Sequence, residues 1–414
     1  MIYTLSSPEQ PLRFVKKDLS SYLRRAAQFQ SKDLVKEEFF SNSPPSIFVG
    51  SKLSYPNVNV GILTPPEHSE DTWLYDAEHL WPGTALTIQD IVRIRSSLIN
   101  ARFQTTVFAA RSQAKFLDIA QEIGMASSPV DVEIHLKKKV RIHLDTDKIH
   151  LPMGPRASLR HAAITENPKI TTKVDKVVSD TDLKAADALA YLYQHNMPGS
   201  TLSRLLSIGI LGLKKDRKLV PTRFSITATD DVLGKHLLKS IRDLPVVSEY
   251  LLYTGNYFGN YYVILLFPDV WSYELFEMYI PGSAWNSTST ITAATEYEGF
   301  HGRKAYASST AGGYYSVRLA VLEKLVALKR QASVLVIRLE TPEYHTGLGV
   351  WVTREAARKA ARAPPLVCTT HQELVQAAQQ KIKEQVNIDV TSLLRRSRIV
   401  AAMNEQVKLT SFLS

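Results

Sequence analysis

The sequence predicts an α+β protein, with a mixed sheet and surrounding helices. Helical and strand-like stretches follow one another in no regular order, and no internal repeat is visible. Apolar residues recur at helical spacing from Ser316 to Arg330, and the buried-strand sequence SVLVIRL follows directly. The stretch EYLLYTGNYFGNYYVILLFP is typical of a β-hairpin with a turn at Gly259-Asn260. A doubly wound sheet would need a regular strand–helix alternation, which the chain lacks.

The N-terminal half begins with a predicted helix at 11–30, with basic residues on its exposed side. Two short β-rich runs follow between prolines and glycines, Ile47–Gly50 and Val58–Leu63. Thr87 is placed to cap a helix through IQDIVRIRSSLINARF. The stretch DVEIHLKKKVRIHLD, at 131–145, alternates apolar and polar residues and predicts a half-buried strand.

The C-terminal half contains five further predicted elements. A strand is expected near Phe224–Thr227, followed by a helix that starts at Asp230-Asp231. The sequence GLGVWV, at 347–352, predicts another strand. Thr370 and Glu373 form a capping-box pattern for a helix at 371–385, and a last helix is expected over Val390–Met403.

Composition limits the partners and excludes some kinds of site. The 414 residues include 50 Lys and Arg against 40 Asp and Glu, a net charge of +10. A basic excess favours nucleic acid, a nucleotide or acidic lipid as partner. Cys368 is the single cysteine, which excludes an internal disulfide and a multi-cysteine zinc site. The first residues lack a signal-peptide pattern, and the longest apolar run, Tyr261–Phe267, is too short to span a bilayer. We therefore expect a cytoplasmic, nucleoid-associated protein with no membrane partner.

The last residues, NEQVKLTSFLS, carry apolar side chains at a regular spacing. In a 3₁₀ turn, side chains three residues apart lie above one another, so the glutamine side-chain amide and the apolar side chains would share one edge. The apolar side chains together would form a small hydrophobic plug. Such a plug either packs on the chain's own core or fills a hydrophobic pocket of a partner. The pattern resembles the PIP box by which DNA-processing proteins bind the sliding clamp, PCNA. The predicted clamp-binding residues are Gln406, Leu409, Phe412 and Leu413, where Leu413 replaces the usual second aromatic residue.

Several ordered sequence blocks resemble the archaeal Nre family of DNA repair proteins. They include PPSIFVG at 44–50, LVPTRFSITATDDVLGKHL at 219–237, WSYELFE at 271–277 and GGYYSVRLAVLE at 312–323. The resemblance implies DNA-damage tolerance and a clamp-binding motif at Gln406–Leu413. It also implies an N-terminal domain at 1–290, a C-terminal domain at 291–398 and a tail at 399–414. Many members open with a four-cysteine zinc module, which this chain lacks, so no structural zinc is expected and no metal-ligating residue is predicted.

The densest polar cluster is PTRFSITATDDVLGKH, at 221–236. On a strand, its alternating polar residues would share one face, and the two aspartates would stand at a helix start. The cluster has two interpretations, a network that only supports the fold or a site with a general base and a phosphate-binding cation. A second polar group follows in the aromatic-rich region 255–315, where aromatic rings could stack on bases or build the core. The candidate catalytic residues are Arg223, Asp230, Asp231, His236, Glu298, His301 and Arg303.

Three groups of basic residues are candidates for binding DNA phosphates. For each group, the alternative interpretation is an ordinary solvated face of a helix or strand with no role in binding. One group lies on the strand predicted at 131–145, one recurs every four residues on a predicted helix face, and one, with Arg398, precedes the tail. The candidates are Lys137, Lys139, Arg141, Arg354, Arg358, Arg362, Arg395 and Arg396.

Two functions from different classes remain open at the level of sequence. The first is a repair protein that binds single-stranded or damaged DNA and is recruited to the clamp by its tail. The second is a DNA- or nucleotide-modifying enzyme, either a nucleotide-dependent transferase or a phosphodiester hydrolase, with a nucleotide or a divalent metal as cofactor. The enzyme interpretation predicts that residues 223–236 and 298–303 line one cleft.

Overall fold

The computed structural model describes residues 34–35, 37–112, 114–141, 150–310 and 313–405. The chain divides into two compact units, Met1–Leu233 and Gly234–Ser414. Each unit contains a mixed six-stranded sheet, and eleven α-helices accompany the two sheets in the described ranges. The predicted α+β class is therefore confirmed. The helix predicted at 11–30 lies outside the described residues.

The sheet of the N-terminal unit has the spatial order β2-β6-β8-β5-β4-β3, in which only β5 and β8 run parallel. A separate antiparallel ladder joins β1 to β7. Alternation is clearest on β6, where Val132, Ile134 and Leu136 are buried between half-buried polar residues. The strands are β1 (Leu34–Val35), β2 (Glu38–Ser43), β3 (Ile47–Val49), β4 (Asn57–Thr64), β5 (Ile99–Thr106), β6 (Val130–Leu136), β7 (Val140–Arg141) and β8 (Arg156–Ile164).

Six helices begin in the N-terminal unit. The predicted cap at Thr87 is confirmed, because its side chain accepts from the Asp90 amide and the Asp90 carboxylate accepts from the Thr87 amide. The last helix includes the boundary between the units. The helices are α1 (Ile88–Ser96), α2 (Lys115–Met125), α3 (Thr172–Ser179), α4 (Ala185–Gln194), α5 (Gly199–Ser207) and α6 (Thr222–Ile241).

The sheet of the C-terminal unit has the order β12-β11-β13-β10-β9-β14, in which only β11 and β13 run parallel. The predicted hairpin is confirmed as β9 and β10. Its turn lies one residue earlier than predicted, at Phe258-Gly259, where both φ angles are positive, as in the tight turns that suit hairpins. The strands are β9 (Tyr250–Tyr257), β10 (Asn260–Phe267), β11 (Ser272–Tyr279), β12 (Thr292–Glu298), β13 (Ser333–Glu340) and β14 (Leu366–Cys368).

Helices cover both faces of this second sheet. One face carries Leu335, Ile337 and Leu339 of β13 and packs on the last three helices in an apolar core. The opposite face carries Glu277 and Arg338, joined at 2.6 Å, and meets the first two helices. These helices are α7 (Gly313–Leu328), α8 (Val350–Arg362), α9 (His371–Val386), α10 (Thr391–Leu394) and α11 (Arg398–Glu405). No described helix of the chain is long and apolar enough to cross a bilayer.

Two predicted helices differ from the structure. The helix capped by Thr87 ends at Ser96 and not at Phe103, because β5 begins at Ile99, and the helix predicted over Val390–Met403 is divided into α10 and α11.

Three predicted strands differ as well. The strand near Phe224–Thr227 is wrong, because α6 begins at Thr222 directly after Pro221, whose carbonyl accepts from the amides of Phe224 and Ser225. The strand at 347–352 is also wrong, since α8 begins at Val350 after a positive φ at Gly349. The single strand at 131–145 divides into β6 and the short β7.

Candidate nucleic-acid interface

A groove in the C-terminal unit collects basic side chains beside the edge strand β12. Its cavity volume is about 460 Å³. The walls come from β12 and the loop after it, from one residue of β11, and from the residues at the start of α11. We call it the β12 groove and define it by its lining residues: Glu274, Thr295, Glu296, Tyr297, Glu298, Gly299, Gly302, Arg303, Lys304, Ala305, Arg396 and Arg398.

Glu298 ends β12 and is buried, with 2% of its surface exposed. Its carboxylate accepts hydrogen bonds from Arg318 Nε at 2.8 Å, the Tyr314 hydroxyl at 2.9 Å and Trp271 Nε1 at 3.1 Å. Burial, followed by the charge of Glu298, raises the pKa of Tyr314, so this hydroxyl stays protonated as a donor. The Glu298 carboxylate is thus committed to contacts within the unit.

Glu296 fastens the loop after β12 to the strand. Its carboxylate forms an ion pair with Arg303 and accepts from the Ser308 amide and from the amide and hydroxyl of Ser309. Burial raises the pKa of Glu296, but the hydrogen bonds from Ser309 and Arg303 outweigh burial and lower the pKa overall. Arg303 also donates to the Tyr297 carbonyl at 3.2 Å. Both charges therefore hold the loop in place.

Glu274 anchors the start of α11 to the sheet. Its buried carboxylate accepts from the Ser397 hydroxyl at 2.6 Å and from the amides of Arg398 at 3.1 Å and Ile399 at 3.2 Å. A carboxylate at a helix N-terminus is favoured because it satisfies free amides and faces the positive end of the dipole. The third carboxylate of the groove is therefore also hydrogen-bonded within the unit.

We expect Glu274→Gln to loosen α11, because the amide nitrogen of glutamine cannot accept from the helix amides. The loss should be about 1–3 kcal/mol, since buried backbone donors lose a charged acceptor. Hydrogen exchange at the amides of Ile399 and Val400 measures it, as faster exchange confined to α11. Glu405→Gln makes the same change at an exposed position of the same helix and should leave exchange unaltered. Equal exchange in both variants would contradict the anchoring role.

The cations that remain face the groove without a carboxylate partner. Lys304, Arg396 and Arg398 are exposed and form no ion pair with any residue in the described part of the chain. The Arg398 guanidinium lies 5.3 Å from the ring centre of Tyr297, a cation–π distance. Three exposed cations beside one another are a combination that suits phosphates.

Comparison with known proteins identifies the family. A family model described as "Archaeal Nre, N-terminal" matches residues 16–286, and one described as "Archaeal Nre, C-terminal" matches residues 298–412. The chain belongs to the archaeal Nre family. The predicted domain division at 290/291 stays a prediction.

Curated relatives agree with this membership of the Nre family. DNA repair protein NreA of Haloferax volcanii is 36% identical over 376 residues, which are 90% of this chain and 88% of that protein. DNA repair protein NreB of Archaeoglobus fulgidus is 34% identical over 366 residues, which are 88% of this chain and 90% of that protein. No solved structure gives a significant match.

The candidate catalytic residues of the Nre chain have different surroundings. Arg223 is exposed and contacts the ring of Phe224, whereas Asp230 is buried within α6, well past the helix start. The expectation that Asp230 and Asp231 stand at a helix N-terminus is therefore wrong. His236 is half-buried, and His301 is exposed and lies edge-on to Phe300. Of the seven candidates, the β12 groove contains only Glu298 and Arg303.

The candidate DNA-binding residues also differ in their surroundings. Arg354 is buried, and Arg358 is paired with Glu323 and Glu355, so the basic stripe expected on α8 is not a continuous exposed face. The exposed candidates are Lys137 and Lys139, which lie between β6 and β7 and not on a strand, together with Arg362, Arg395 and Arg396. The side chain of Arg141 lies outside the described part of the structure, as do the tail residues Gln406, Leu409, Phe412 and Leu413.

Glu274 and Lys304 belong to the aromatic- and charge-rich region 255–315, but neither was predicted as a site residue. The signal for Glu274 is a carboxylate in the mainly apolar and aromatic run WSYELFE, since a charge buried in a strand needs partners. Among the described residues, no group of three or more His, Cys, Asp and Glu side chains is arranged to hold a metal ion.

Proposed function

We propose that this Nre protein acts in DNA repair, binds DNA phosphates in the β12 groove, and is recruited to the sliding clamp through Gln406–Leu413. The names of the NreA and NreB relatives support the repair role. The difference in bonding between the carboxylates and the cations of the groove supports DNA binding. Each of its three carboxylates is bonded within the unit, while Lys304, Arg396 and Arg398 keep their charge for a ligand.

The position of α11 supports a coupling between the two activities. The helix begins at Arg398 in the groove and ends at Glu405, directly before Gln406. Eight residues at about 1.5 Å rise span roughly 12 Å. If residues 406–413 bind the clamp, the phosphate-binding cations of the groove would lie within about one helical turn of duplex from the clamp ring. The ring encloses DNA, so the cations would be close to that DNA.

The test of DNA binding is the triple variant Lys304→Ala, Arg396→Ala and Arg398→Ala. Each cation that neutralises a phosphate releases counterions, so we expect affinity at about 0.1 M salt to fall by roughly 10²–10³-fold. The slope of log affinity against log salt should fall by about 3, close to one for each cation. Fluorescence anisotropy with a labelled single-stranded and a labelled duplex oligonucleotide, at several salt concentrations, measures both quantities.

The matched control removes three exposed lysines from the same unit but outside the groove: Lys239, Lys359 and Lys383. It causes the same change in net charge and should reduce the slope by less than one. Equal losses in the two triple variants would show that the whole basic surface binds DNA and would overturn the assignment to the groove. No loss in either variant would overturn it as well.

A further inference from the structure

Two aromatic rings lie on the surface of the N-terminal unit and contact each other. Tyr55, in the loop between β3 and β4, is 74% exposed, and Phe108, in the 3₁₀ helix Val107–Arg111, is 40% exposed. Their ring centres are 6.0 Å apart in an edge-to-face arrangement. Of the exposed large apolar side chains in the described ranges, these are the two whose rings contact each other. Single exposed apolar side chains are common, whereas contiguous ones mark interaction surfaces.

Hydrogen bonds hold three segments of the chain around the two rings. The Val107 amide donates to the Pro56 carbonyl at 2.9 Å, which joins the β3–β4 loop to the 3₁₀ helix. The Val107 carbonyl accepts from the Leu219 amide at 2.8 Å, which adds the segment that precedes α6. Arg111 Nε donates to the Arg217 carbonyl of that segment at 2.9 Å. The rings are therefore presented by segments that are bonded to one another.

The three segments are together strongly basic. They contain six cationic side chains but a single carboxylate, that of Asp216. The Arg111 guanidinium lies 5.1 Å from the ring centre of Phe108, a cation–π distance. Arg111, Lys52 and Lys218 are exposed and form no ion pair with a residue in the described ranges. The six cations, within residues 50–57, 107–112 and 214–219, are Lys52, Arg111, Lys214, Lys215, Arg217 and Lys218.

Exposed rings beside exposed cations fit a single-stranded nucleic acid. An unpaired base offers a flat face that stacks on an aromatic ring, and the phosphates on either side of it attract the cations. In a duplex the base faces are covered by their neighbours in the stack, so the rings would find no base face to contact. Exposed rings alone would fit an apolar protein surface equally well, but six cations against one carboxylate favour a polyanion.

We propose that this surface, the Tyr55 patch formed by Lys52, Tyr55, Phe108, Arg111 and Lys218, binds single-stranded DNA. An unpaired base stacks on the Tyr55–Phe108 pair, and the adjacent phosphates lie at Arg111 and Lys218. The choice of DNA as the nucleic acid rests on the proposed function in repair, but the patch shares no residue with the β12 groove. The groove binds the phosphates of any strand, and the patch adds a preference for unpaired bases.

The test compares Tyr55→Ala with wild-type full chain by fluorescence anisotropy. The labelled probes are a single-stranded oligonucleotide, a duplex, and an abasic strand of the same length. Loss of one stacked base should weaken binding to the single strand by about 5-fold or more. Affinity for the duplex and for the abasic strand should not change, because neither offers an unpaired base.

Salt dependence separates this proposal from the one for the β12 groove. Tyr55 carries no charge, so Tyr55→Ala should leave the slope of log affinity against log salt unchanged. The triple variant of the groove lowers that slope and weakens single-strand and duplex binding alike. Each proposal can therefore fail while the other stands.

Two further variants serve as controls. Tyr55→Phe keeps the ring and should bind the single strand like wild type. Phe40→Ala removes another ring of the N-terminal unit, 51% exposed and outside the patch, and should also leave the affinity unchanged. The proposal is overturned if wild type does not bind the single strand, or binds the abasic strand as tightly. It is also overturned if Tyr55→Ala behaves like Phe40→Ala, or if it weakens duplex binding equally.

Discussion

Glu298→Ala is expected to lower the free energy of unfolding of the C-terminal unit by about 3–5 kcal/mol. The substitution removes the carboxylate to which Arg318, Tyr314 and Trp271 donate. The side chains of Glu298 and Arg318 are 0% and 2% exposed. Water cannot replace the lost carboxylate as a partner, because the Arg318 guanidinium is buried. The cost therefore exceeds that of an ordinary surface ion pair, which is worth about 0–1 kcal/mol.

Urea denaturation of the full chain measures this loss, and a thermal scan should show a decrease in Tm of roughly 6–20 °C for a unit of this size. The double variant Glu298→Leu with Arg318→Met is the control, because replacing both charges by apolar groups is often nearly neutral. It should recover most of the stability. A single variant as stable as wild type, or a double variant no better than the single one, would contradict the structural role of the pair. Such a result would return Glu298 to consideration as a catalytic residue.

Local patterns in the sequence were sufficient for several elements of the fold. The hairpin of β9 and β10 follows from two β-prone runs around a glycine, and Thr87 with Asp90 forms its cap from residues three apart. The helix–strand pair of α7 and β13 was predicted from spacing alone. In each case the residues that decide the structure are neighbours in the chain, so tertiary contacts were not needed.

Residues 222–241 show why the polar cluster was placed incorrectly. Arg223, Ser225 and Thr227 alternate with apolar residues, and this two-residue alternation indicates a strand and not a helix. The choice depends on packing. The Thr222 hydroxyl accepts from the Val49 amide at 2.9 Å, and Ser225 contacts Ser203 at 3.2 Å, both across long sequence separations. Such contacts override the local preference, and no spacing in the sequence predicts them.

The β12 groove was not predictable as a unit for the same reason. The β11–β12 register places Glu274 opposite Tyr297, and Glu274 then reaches Ser397 and the start of α11, more than 120 residues away in sequence. Sequence analysis found Arg303 and the cluster at 395–398 separately. These residues could not be assigned to one groove from the sequence, because only the fold shows which carboxylates are already bonded and which cations are left for a ligand.

Phe412→Ala is expected to weaken binding of the full chain to the sliding clamp by about 30-fold or more. A buried aromatic anchor at the centre of an interface typically contributes about 2 kcal/mol or more when truncated to alanine. In a 3₁₀ turn, Gln406, Leu409 and Phe412 share one edge, so Phe412 would fill the deepest part of the partner's pocket. Surface plasmon resonance with immobilised clamp measures the change, and a peptide of residues 400–414 should reproduce it.

Two further variants separate a pocket-filling tail from a merely basic one. Lys408→Ala lies off the shared edge and should leave clamp affinity nearly unchanged, whereas Leu413→Phe restores the second aromatic ring of the motif and should raise it. The order of affinities, Leu413→Phe above wild type above Phe412→Ala, is what an apolar pocket requires. If Lys408→Ala weakened binding as much as Phe412→Ala, the interaction would be electrostatic, and salt would abolish it in both variants. If Phe412→Ala bound as tightly as wild type, another part of the chain would have to make the contact with the clamp.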